Sequence, residues 1–62
     1  MKRELLEKRL SADFQGWISL WYLRESGQYA TWRSNKNALE ETYWGHYFDN
    51  LKEAKADYDR RS

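Results

Sequence analysis

Apolar residues at the start of the chain recur at Leu6, Leu10 and Phe14, with Leu5 beside the first. Intervals of four match the pitch of an amphipathic helix, so the spacing predicts a helix over 2–15. Glu4 and Lys8 would form an acid-first i,i+4 pair within it. Gly16 is placed to end it as a C′ residue. The stripe continues at helical spacing through Trp17 and Trp21, which leaves a second reading open: a helix running to Arg24 and stopping at Gly27. The break at Gly16 is preferred because the pattern then changes.

Residues 17–24, "WISLWYLR", and 29–34, "YATWRS", are two strand-like runs joined across "ESGQ", a hairpin signal. As a strand, the first run puts Trp17, Ser19, Trp21 and Leu23 on one face and Ile18, Leu20 and Tyr22 on the other. Both faces are apolar, as in a central strand covered on both sides, or one with a face on a partner. "SNKNALEE", 34–41, reads as a polar connection in which Asn37 caps a short turn. "TYWGHYF", 42–48, reads as a third strand, with Tyr43, Gly45 and Tyr47 opposed to Trp44, His46 and Phe48. Gly45 there admits a neighbouring ring or backbone, or marks a bulge.

The last segment is a helix over 50–61. Asp49 or Asn50 caps it, and Asn50 with Glu53 resembles a capping box. Leu51, Ala54 and Tyr58 form its apolar stripe. Asp57 and Arg61 form an acid-first pair, and Arg60 and Arg61 suit the negative end of the helix dipole. The expected fold is a single small α+β domain, α-β-β-β-α. Its three-stranded antiparallel sheet (strands about 17–24, 28–34 and 42–48) is packed by helices.

Composition explains what such a core is made of. Sixty-two residues without Cys have neither disulfide nor thiolate metal site to reinforce a small core. Four Trp, five Tyr and two Phe replace branched aliphatics, with no Val and one Ile. Each ring can bury roughly 150–250 Å². There are more rings than a one-layer core needs, and the surplus points to a binding face. The net charge of +1 is not the footprint of a general polyanion binder. No apolar run approaches the roughly 20 residues of a membrane span. "MKR" leads into an amphipathic segment and not into the apolar core of a secretory signal. A cytoplasmic protein is expected, with no membrane partner.

The candidate chemistry is sparse. His46 is the sole His and has no second His for a metal pair. Its sequence neighbours do not supply a nucleophile and an orienting acid, so it reads as a packing or partner-contact residue. Asp49, Glu53, Asp57 and Asp59 alternate with Lys52, Lys55, Arg60 and Arg61, the pattern of a solvated helix face. Gly16, Gly27 and Gly45 are too far apart for a phosphate loop. No catalytic residue, cofactor, metal or small-molecule substrate is expected.

Three layouts are similar in part. "LWYLRESGQYATW" resembles a choline-binding repeat, whose tandem copies share ligand sites; here there is one copy. "WYLRESGQYATW…YWGHYFDNLKEAK" resembles the strand-strand-strand-helix layout of integrase arm-type DNA-binding domains, with Phe48, Glu53 and Ala54 at the matching spacing. That resemblance implies a DNA role for the sheet. The α-β-β-β-α order, with "LKEAK" in its final helix, resembles double-stranded RNA-binding domains and implies RNA as a partner. Asp49 and Asn50 stand where those domains carry a basic cluster.

The functional expectation is a non-enzymatic protein-interaction module. It would be a small regulator or inhibitor of phage or mobile-element type that binds a host protein, or a second copy of itself, through aromatic residues. Trp, Tyr and Arg dominate interface hot spots, and contacts are expected to come from Trp17, Trp21, Tyr29, Trp32, Arg33 and His46, some of which serve the core. The alternative is a nucleic-acid-binding domain using the hairpin face, with Arg24, Tyr29, Arg33 and Lys36 as contacts.

Overall fold

The structure is a computed structural model and describes residues 3–61, the side chain of Glu40 excepted. Four strands, β1 (Arg3–Leu10), β2 (Gly16–Leu23), β3 (Gln28–Asn35) and β4 (Ala38–Phe48), precede one helix, α1 (Leu51–Arg60). The strands form an antiparallel meander in the order β1-β2-β3-β4. This overturns the expected α-β-β-β-α arrangement. The protein is mostly sheet with one C-terminal helix, and neither the helix over 2–15 nor its extension to Arg24 forms; Lys2 lies outside the described residues. Among the described residues, no helix is long and apolar enough to cross a membrane.

The first segment misleads because of a bulge. Leu5 pairs with Trp21 and Glu7 with Leu20, so Leu6 is an extra residue in β1. Past the bulge the alternation restarts, and Leu10 shares a face with Leu5 although they are five positions apart. The helix-like spacing of Leu6, Leu10 and Phe14 marks no buried stripe: all three are exposed. Glu4 does not meet Lys8. It accepts from Arg24, while Lys8 lies over the Trp17 ring.

β4 starts earlier than expected. Asn35 pairs with Ala38, so Lys36–Asn37 is a two-residue hairpin turn and Asn37 caps nothing. The final helix matches its expectation closely. Asn50 Oδ1 accepts from the Glu53 amide at 2.8 Å, and its side-chain amide donates to Glu53 Oε1 at 3.0 Å. Asp57 and Arg61 pair at 3.2 Å.

β2 is covered on both faces, but by different means. On one face Ile18 and Leu20 pack under Ala54 and Tyr58 of α1, with Tyr29 and Phe48 at the margin. On the other the sheet curls over its own rings. Trp21 and Trp32 are buried there with Ala30, backed by Leu5 and Leu23. The Arg3 guanidinium lies 4.4 Å from the Trp21 ring and 5.1 Å from that of Trp32. Arg3 then donates to Thr42 Oγ1 at 3.2 Å, joining the two outer strands across the concave face. A ring pair therefore does the work of a second packing layer.

Candidate functional site at the edge of β4

β4 is an outer strand, and its register against β3 shifts at two points, between Ala38 and Thr42 near the turn and again at Trp44 and Gly45. Thr31 pairs with His46 and Arg33 with Tyr43, so Trp44 and Gly45 together oppose Trp32. Two residues against one is a β-bulge. Each member of this pair has its own constraint. A Cβ on Gly45 would lie 2.0 Å from Trp32 Nε1, so the buried indole leaves room for glycine alone. Trp44 has φ +54°, the left-handed region that glycine usually fills in such bulges.

The bulge redistributes the rings. Tyr43 now shares the helix side of the sheet with Arg33, His46 and Phe48, while Tyr47 shares the concave side with Ala30. The expected opposition of Tyr43, Gly45 and Tyr47 to Trp44, His46 and Phe48 therefore does not hold along the whole strand. Trp44 is 73% exposed and Tyr47 56%. The Trp44 ring stands edge-on to Tyr43 at 5.2 Å, and Tyr47 stands edge-on to Trp32 at 5.8 Å. Two exposed rings thus rest edge-on against other rings, on a strand that lies outermost in the sheet formed by the described residues.

The helix side of the bulge is held by a polar cluster. Asp57 Oδ2 accepts from Thr31 Oγ1 at 2.5 Å, His46 Nδ1 at 3.0 Å and Arg61 Nε at 3.2 Å. Partial burial pushes the Asp57 carboxyl up, but the hydrogen bonds from Thr31, His46 and Arg61 together hold it below the ordinary carboxylate value. A hydroxyl, an imidazole and a carboxylate meet here without forming a nucleophilic triad. Such a triad needs the hydroxyl on the imidazole, whereas Thr31 is buried and donates to the carboxylate.

The expected contact residues do not form one surface. Trp21 and Trp32 are core, and Trp17 is half-buried with its Nε1 donating to the Lys36 carbonyl at 3.0 Å. Tyr29 is half-buried against Tyr22 and the helix-side core. Arg33 is half-buried and reaches both Asp13 oxygens, at 3.1 and 3.0 Å. Hydrogen bonding to Tyr43, and then to Asp13, holds its guanidinium above the ordinary value. His46 is exposed and beside the bulge. Of the alternative set, Arg24 lies at the β2–β3 turn, paired with Glu4, and Lys36 lies in the β3–β4 turn at the other end of the hairpin.

Trp44, Tyr43 and Tyr47, the rings gathered at this bulge, are not among the residues that the sequence reading expects to make contacts. The one available signal was Gly45: a glycine inside an aromatic strand marks a bulge, and a bulge re-aims its neighbours. No known protein family, curated protein or solved structure matches the chain.

Proposed function

We propose that the protein is a non-enzymatic protein-interaction module, a small cytoplasmic regulator or inhibitor whose contact surface is the β4 edge around Trp44. The single observation that carries this reading is Trp44 itself. A non-glycine residue in the left-handed region costs about 1–2 kcal/mol, and here the residue is a largely exposed tryptophan. Glycine would fill the conformation without that strain, and the ring's edge-on contact with Tyr43 does no more than offset it. Exposed Trp and Tyr are the commonest hot-spot side chains, and Tyr43 and Tyr47 flank it. The cytoplasmic assignment rests on a chain without Cys, which suits a reducing compartment.

The test is a capture experiment from host lysate with the whole protein as bait. A specific partner should be retained by the wild type and by Leu51→Ser, which removes an exposed apolar side chain elsewhere. It should be lost with Trp44→Gly. Titration of labelled single- and double-stranded nucleic acid at two salt concentrations runs beside it. Tight binding with a steep salt slope would replace this reading with the nucleic-acid one.

A further inference from the structure

We propose that Arg61 is a positioning residue for the Trp44 bulge, fixing from the end of α1 the ring that the β4 edge displays. Its role in binding rests on the reading above, but the positioning itself is testable without a partner.

Arg61 sits where four parts of the molecule meet. Its amide donates to the carbonyls of Asp57 and Tyr58 at 3.1 and 3.3 Å, closing the helix. Its own carbonyl accepts from the Arg9 guanidinium of β1. Its Nε donates to Thr31 Oγ1 of β3 at 3.1 Å and to Asp57 Oδ2 at 3.2 Å. Its Nη2 donates to the Trp44 carbonyl at 2.6 Å. The side chain is only 13% exposed, so the guanidinium is held on its acceptors and screened from solvent.

This hydrogen bond meets the bulge at the residue with the strained backbone. The next peptide is held from the concave side by the Trp32 indole against Gly45. Trp44 and Gly45 are thus clamped between a guanidinium and a ring, on opposite faces of the sheet. A planar fork is required, because three acceptors on different elements surround one guanidinium. A lysine ammonium is a single point donor and does not span them.

The experiment uses full-length protein carrying 5-fluorotryptophan, read by fluorine NMR. Four Trp residues give four resonances, and Trp44→Gly identifies the one that belongs to Trp44. In both Arg61→Ala and Arg61→Lys the Trp44 resonance should move toward the free-indole position and narrow as the ring gains freedom. The Trp21 and Trp32 resonances should stay in place, and far-ultraviolet circular dichroism should keep its wild-type shape. A Trp44 resonance unchanged in both variants overturns the proposal. So does joint displacement of all four resonances, or loss of fold in both variants, since either makes Arg61 a general structural residue. Failure of the capture experiment with an intact Trp44 shift removes the binding reading and leaves the clamp standing.

Discussion

Residues 44 and 45 carry a trade that can be measured. Trp44 occupies the position whose backbone suits glycine, while Gly45 occupies the position whose space suits glycine. Trp44→Gly should relieve about 1–2 kcal/mol of left-handed strain. It gives up one exposed ring contact with Tyr43, worth about 0.5–1.5 kcal/mol. The variant should therefore unfold at a denaturant midpoint no lower than the wild type, although a large side chain has been deleted. Trp44→Val, β-branched and poorly suited to positive φ, should be clearly less stable than Trp44→Gly. Gly45→Ala should cost on the order of 1–3 kcal/mol because its methyl meets a fixed indole, and Trp fluorescence should report the displaced Trp32. The special nature of Gly45 was legible in the sequence, since a strand of rings has little use for a glycine unless space or backbone demands one. That of Trp44 was not, because backbone strain leaves no mark in residue type when the residue is retained against its own preference.

At the level of elements, what was legible depended on whether a bulge intervened. β2 and β3 alternate without interruption, and the faces of β2 follow directly from its sequence. α1 was equally plain, with its cap, stripe and last-turn basic residues all local signals. β1 was not legible. Its extra residue turns a period of two into an irregular spacing that a helix fits as well, and no local residue type marks Leu6 as the bulge. The charges of β1, arranged Arg-Glu-Leu-Leu-Glu-Lys-Arg-Leu, suit an outer strand that resists edge pairing. The two readings of this segment bury different leucines, so truncation separates them. Leu5 packs against the Trp21 and Trp32 cluster while Leu6 is exposed. Leu5→Ala should cost about 1–2 kcal/mol, below the range for a fully buried leucine because Leu5 is only half-buried. Leu6→Ala should change stability by less than about 0.5 kcal/mol. Urea denaturation of the two variants decides it: a helix with a Leu6, Leu10 and Phe14 stripe requires the opposite order.

Across the whole molecule, two carboxylates tie distant segments together, and their protonation should loosen the fold from both ends. Asp13 accepts from Ser11 at 2.5 Å and from the Gln15 amide at 3.0 Å, and it faces Arg33 of β3. The Ser11 hydrogen bond first, and then that from Gln15, hold its carboxyl at about 2. Asp57 joins α1 to Thr31 of β3 and His46 of β4, and its carboxyl is also held below its ordinary value. In the unfolded chain each carboxyl returns to about 3.9, so the folded protein binds fewer protons than the unfolded one in the interval between. Stability then rises with pH through that interval. The contribution of both groups is complete above about pH 4–5 and is lost as pH falls through the folded value, toward about 2 for Asp13. Thermal unfolding followed from pH 7 to pH 2 should therefore show a flat melting temperature down to about pH 4.5 and a steep fall below it. Asp13→Asn and Asp57→Asn should each start lower and fall less steeply, because each removes one linked proton. The two variants should differ in where the damage appears. Asp57→Asn weakens the anchor of Arg61 and should shift the Trp44 fluorine resonance at neutral pH. Asp13→Asn acts on the β1–β2 loop and Arg33, and reaches the Trp44 ring only through the Arg33–Tyr43 contact, so it should shift that resonance less than Asp57→Asn does.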